Sequence, residues 1–136
     1  MTLSAARADT TLAAALDTAG DGIFLALHTG SPGADGTANK AADDGGDAVR
    51  KIVEFADPEN HPSNIERRCL STTAVAWTSA EIDDGQTITH FSLWSAVSGG
   101  NVEFIAAVDT PKLVGGDGVT VDIGDLEVAL TVFAKP

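Results

Sequence analysis

Three histidines, His28, His61 and His90, are the side chains best suited to metal or proton chemistry in this chain. None has a neighbour at the H-x-H or H-x3-H spacing that carries two imidazoles to one ion. His28 and His90 can meet in a sheet, where a strand-end histidine bonded to backbone groups is the expectation. Ser31, in T-G-S-P-G, resembles a nucleophile elbow only superficially. The chain holds no G-x-S-x-G, and Pro32 removes a backbone N–H that an oxyanion hole would use. The segment "ADDGGD" sets Asp43, Asp44 and Asp47 around two glycines, which is oxygen chemistry suited to calcium. It lacks both the D-x-D-x-D-G spacing and the distal Glu of an EF-hand. A solvated acidic loop is expected there, and the three aspartates stand only as metal candidates. Trp77 and Trp94 could stack on a sugar, yet their apolar neighbours place them in a core. No catalytic residue and no cofactor is implied.

Charge narrows the classes of partner. Twenty acids, 14 Asp and 6 Glu, oppose eight bases for a net charge of -12. A chain this acidic repels phosphate backbones, so nucleic acid is not an expected partner. An Asp-rich, Lys-poor surface suits high salt, and equally suits an ordinary acidic protein. No apolar run approaches the roughly 20 residues that span a bilayer, and no membrane partner is expected. The opening "MTLSAARADTTLAAALDTAG" reads as an amphipathic helix and not as a signal peptide. The single Cys69 excludes an intrachain disulfide and is expected to act as a small hydrophobe.

The elements that must position these residues are mostly strands. Ala5, Ala8, Leu12, Ala15 and Leu16 repeat at helical spacing behind Ser4 as N-cap, which predicts one helix over about 3–19. From about residue 23, strands are predicted at Ile23–Thr29, Val49–Phe55, Leu70–Trp77, Ile88–Ser95, Asn101–Val108 and Val119–Phe133, the last split at Gly124-Asp125. Long loops are predicted over 30–46 and 57–68, the second punctuated by Pro58 and Pro62. Leu27, Val53, Phe55, Val75, Phe91, Leu93, Ile105, Val128 and Leu130 are the expected core. Short strands with a single helix predict a mainly β fold, an antiparallel β-sandwich with one short N-terminal helix, in one domain over 1–136.

Set in order, "IFLALHTGSPGADGTAN", "VRKIVEF", "AVAW" and "ITHFSLWSAVSGGN" resemble a family of small tailed-phage virion proteins. Its members are labelled phage tail fibre, minor tail or capsid-decoration protein. The positions that carry the resemblance are Leu27, His28, Thr29, Pro32, Gly33, Asn39, Arg50, Val53, Phe55, His90, Leu93, Trp94, Ala96, Gly99 and Gly100. It spans roughly residues 23–108. Ser95 stands where the family often has Asp, and Ala48-Val49-Arg50 where it often has Tyr-Ala-Arg.

The resemblance implies a structural subunit located in the virion, with no catalytic residues. Its implied partners are copies of itself, as a homo-oligomer, and other capsid or tail proteins. A host-receptor or glycan-binding module of a tail fibre is the alternative. On this reading Leu27-His28-Thr29 ends a core strand, and His28 and His90 share hydrogen bonds with loop backbone near Asn39.

Overall fold

The computed structural model describes residues 4–18, 20, 22–63 and 66–131. The fold is mainly β and antiparallel, with one helix among the described residues, consistent with a β-sandwich. Its contacts gather into two compact units, one formed by residues 1–22, 54–73 and 122–136, the other by 23–53 and 74–121.

The first unit begins with α1 (Ala5–Leu16), capped by Ser4, whose hydroxyl accepts from the Arg7 N–H at 3.2 Å. Asp17 stops the helix in the left-handed region at φ 51°. Leu3 and Ala19, at the ends of the predicted helix, lie outside the described residues. Ala8, Leu12 and Leu16 are buried. Their small stripe lets α1 pack closely on β6 (Glu66–Leu70) and β11 (Glu127–Thr131). These two strands pair antiparallel, and β5 (Glu59–Asn60) adds to the other edge of β6. Arg67 reaches Asp9 on α1 at 2.6 Å, while Arg68 bridges Glu59 and Glu127. Cys69, fully buried, has its thiol pushed up to about 11 by burial, so it remains a neutral hydrophobe.

The second unit holds a sheet in the order β4 (Lys51–Val53), β1 (Ile23–His28), β8 (Thr87–Trp94) and β9 (Val102–Leu113). A second pair joins β7 (Val75–Trp77) to β10 (Val119–Val121), and β2 (Ala42–Asp43) forms a hairpin with β3 (Gly46–Asp47). Leu25 stands opposite Leu93, and Leu27 opposite Phe91, so this face of the β1–β8 pair is buried apolar core. The register puts Phe24 with Trp94, Ala26 with Ser92 and His28 with His90 on the other face.

Several expectations are corrected. The predicted strand Leu70–Trp77 is two strands in different sheets, because Ser71–Ala74 leaves one ladder before the next begins. Val49–Phe55 shortens to Lys51–Val53, and Val49, at the predicted start of that strand, is exposed. The 57–68 loop carries β5 and the start of β6. Strand β9 continues past Val108 to Leu113 because Val108 to Pro111 bulge opposite Thr89 alone. The bulge at a sheet edge lets Pro111 sit in a strand without owing a ladder hydrogen bond. Ile105 and Leu130 are half-buried; Ile105 lies on edge strand β9 and Leu130 on edge strand β11. The remaining expected core residues are buried. The chain does divide between Val121 and Glu127 around Gly124-Asp125, while Phe133 lies outside the described residues.

Candidate functional site

Of the sequence motifs, His28 and Trp94 lie with Ser92 on one face of the sheet and Arg50 covers Trp94, while Leu27 and Leu93 lie on the opposite face. Trp94 Nε1, which can only donate, gives its proton to Ser92 Oγ at 2.7 Å. At the other end the Ala38 carbonyl, which can only accept, receives the His28 Nδ1 proton at 2.8 Å. His28 Nε2 is therefore the acceptor of the neutral ring, and the Ser92 hydroxyl donates to it at 2.7 Å. The direction of every bond in the chain Trp94–Ser92–His28–Ala38 is thus fixed by its two ends. Burial, the largest influence, lowers the His28 pKa and keeps the ring neutral.

This relay fastens the loop after β1. The Ala41 N–H donates to Leu27 O and the Thr29 N–H to Asn39 O, both at 2.9 Å. Asn39, at φ 53°, turns its side-chain amide onto Ser31 O at 2.9 Å. The Ala38 N–H closes on Pro32 O, and the Pro32 ring is fully buried. Gly33 turns at φ 75°, and Thr37 donates twice to Asp35, lowering that carboxyl's pKa. The loop then presses Gly36 against the indole. A Cβ there would lie 2.9 Å from Trp94 Cζ2, and φ is 74°, so no side chain fits.

Arg50 covers Trp94 from another side. Its guanidinium lies 3.8 Å from the ring centroid, and Nη1 donates to Ala96 O at 2.9 Å and Gly99 O at 2.7 Å. The turn Ser95–Gly100 is thereby clamped to Arg50, with Gly99 and Gly100 both at positive φ. Burial lowers the Arg50 pKa, which leaves a group of this basicity charged. A cleft of about 370 Å³ opens beside this cluster, with Lys40, Asp47 and Ser98 among its polar walls.

His90 faces His28 across the ladder, yet its Nδ1 bonds the neighbouring Thr89 hydroxyl at 2.9 Å. Loop backbone holds His28 alone of the two, through Ala38. His61 is elsewhere, in the first unit, 3.1 Å from Glu127. Ser92 and His28 make a hydroxyl–imidazole pair, but both are 0 % exposed, and no carboxylate orients the ring.

Asp43, Asp44 and Asp47 lie on the β2–β3 hairpin, where Asp47 pairs with Lys40 at 3.4 Å. Among the described residues no group of three His, Cys, Asp or Glu side chains gathers as a metal requires. Asp44 and Gly45 both have positive φ, at 48° and 81°. That is the D-G turn of a two-residue hairpin, a signal present in the sequence but masked by its acidic neighbours. Trp77 and Trp94 are 1 % and 6 % exposed, so neither offers a stacking platform.

His28, Asn39, Arg50 and Trp94 thus hold a loop and a turn onto the sheet, a structural use of these side chains. Residues 2–129 match the family model described as Podophage GP4 fiber I protein gp80, and the chain belongs to this family of phage fiber proteins. It is a component of the virion and associates there with other virion proteins. No curated protein matches the chain.

Proposed function

We propose that the chain is a non-enzymatic structural subunit that assembles with copies of itself and with neighbouring proteins of the virion. The observation that carries this reading is the use of its motif residues. His28, Asn39, Arg50, Trp94 and Gly99 each hold a loop or turn in place, and the hydroxyl–imidazole pair is sealed. Loops fixed in this way can meet a neighbour at little further entropic cost. At least one of the two long segments, 30–46 and 57–68, is expected to cross a boundary with a copy of the chain or with another virion protein. The fiber description of the family favours the tail over the head.

Particles labelled with an antibody to this chain, together with sedimentation of the purified protein, test the reading. Label on the tail and a self-associating subunit are expected. A strictly monomeric protein with no label on the particle would overturn it. Binding of a cell-surface glycan by the monomer would put the receptor-binding alternative in its place.

A further inference from the structure

A shallow, largely apolar groove in the second unit is lined by Phe24, Val49–Ile52, Ala74–Ala76 and Val97. Val49, Ile52 and Val97 are 52 %, 48 % and 57 % exposed, unusual for aliphatic side chains so close together. No carboxylate lines the groove, although the chain carries 20 acids, and two of its eight bases, Arg50 and Lys51, do. Lys51 is paired with Glu81 at 2.7 Å. Arg50 is held only by carbonyls and the Trp94 ring, so its charge has no carboxylate partner among the described residues.

The first unit presents a shape of opposite character. Ile123 is 67 % exposed at the tip of the turn Asp122–Asp125, with an aspartate at each end. The turn is rigid. Asp125 Oδ2 accepts from the Asp122 N–H at 3.0 Å, and the buried Ser71 hydroxyl accepts from Gly124 at 3.1 Å and Leu126 at 3.3 Å. Leu113, as exposed at 68 %, follows Lys112 and has the wrong sign for a cationic groove.

We propose that the Asp122–Asp125 turn of one copy docks into the Val49–Val97 groove of a second copy, Ile123 entering the apolar floor and the aspartates meeting Arg50. The proposal rests on the reading of the chain as a self-associating virion subunit and names the contact. Two bodies of net charge -12 repel, so their contact must fall where carboxylates are missing from one side. Groove against groove would oppose Arg50 with Arg50, and turn against turn would oppose aspartates. Only the head-to-tail pairing joins opposite charges, and such a heterologous contact continues into a ring or a filament.

The test is sedimentation of the intact chain and two surface variants, Ile123→Asp and Val97→Asp, with circular dichroism to confirm that each keeps the wild-type fold. Each variant alone should associate at least about tenfold more weakly, as loss of a central anchor implies. Mixed one to one, they should form a dimer and stop there, since each retains the half that the other lacks. A mixture that stays monomeric overturns the proposal. So does wild-type association unmoved by either substitution, which would leave self-association standing with a different contact. Wild-type protein that never associates removes both the docking and the self-association beneath it. Should either aspartate variant misfold, Ile123→Ser and Val97→Ser replace it in the same mixing experiment.

Discussion

The Ser92 hydroxyl donates to His28 Nε2 across 2.7 Å, and neither residue is exposed to solvent. Because Ser92 also receives the Trp94 indole proton, it is the one atom through which the β8 tryptophan and the β1 histidine are joined. Ser92→Ala would leave Nε1 of Trp94 and Nε2 of His28 buried without partners. At roughly 1–3 kcal/mol for each orphaned group, a loss of about 2–6 kcal/mol is expected from urea unfolding. A loss below about 0.5 kcal/mol would mean that the two rings find each other, or water, without the serine.

On the opposite face of the same sheet, Phe91 is 2 % exposed and faces Leu27 in the ladder. Phe91→Ala is expected to cost about 3–5 kcal/mol, as for other deleted core rings. A loss under about 1 kcal/mol would place the true core elsewhere.

Acid should unfold the protein in two stages. Burial holds His28 below its ordinary 6.5 in the folded chain. The unfolded chain therefore takes up a proton that the native one refuses, so stability is full above 6.5 and falls as pH drops through the lowered native value. Lys51, helped by the Thr78 N–H, holds the Glu81 carboxyl at about 2 instead of 4.5. Its contribution is intact above 4.5 and is lost as pH falls towards 2. Melting temperature followed against pH should show both declines, and His28→Asn should remove the upper one. A profile flat from about pH 7 to pH 5 would contradict the neutral, buried ring.

Salt should stabilise the fold. With -12 net charge, repulsion among the acids is expected to exceed what the ion pairs of Lys40, Lys51, Arg67 and Arg68 recover. Shortening the Debye length from about 10 Å at 0.1 M to about 3 Å at 1 M removes most of that repulsion. Melting temperature measured in increasing KCl should climb, and a flat or falling curve would show that the paired charges dominate.

What could be read from the sequence was local and periodic. Ser4 as a cap, the dry face of Leu27, Phe91 and Leu93, and the break at Gly124-Asp125 all follow from residue type and spacing. Alternation could not reveal that the chain changes sheets between Leu70 and Val75, because Thr73, Val75 and Trp77 keep the same period across the change. Ser71 gave no hint of its task, since its partners Gly124 and Leu126 are remote in sequence. The relay was half visible. His28 and His90 stood out, but the serine and the Ala38 carbonyl that satisfy His28 are common groups made special only by the register. Pro111 lies beyond Val108, the predicted end of the strand, and a bulge on the edge strand β9 accommodates it.

The two compact units differ in when they can be completed during synthesis. The second is closed once residue 121 has been made, its four-stranded sheet and its β7–β10 pair all lying within 23–121. The first draws on the beginning, middle and end of the chain, and β6 finds its partner β11 only after Thr131. Until then α1 and β6 hold Leu12, Leu16 and Cys69 without the strand that pairs with β6. A nascent chain would therefore emerge with one finished part and one waiting, exposed part. Shortening the chain before Glu127 would take from the helix one of the two strands it packs on, while leaving the hydrogen bonds of His28 and Trp94 to Ser92 in place.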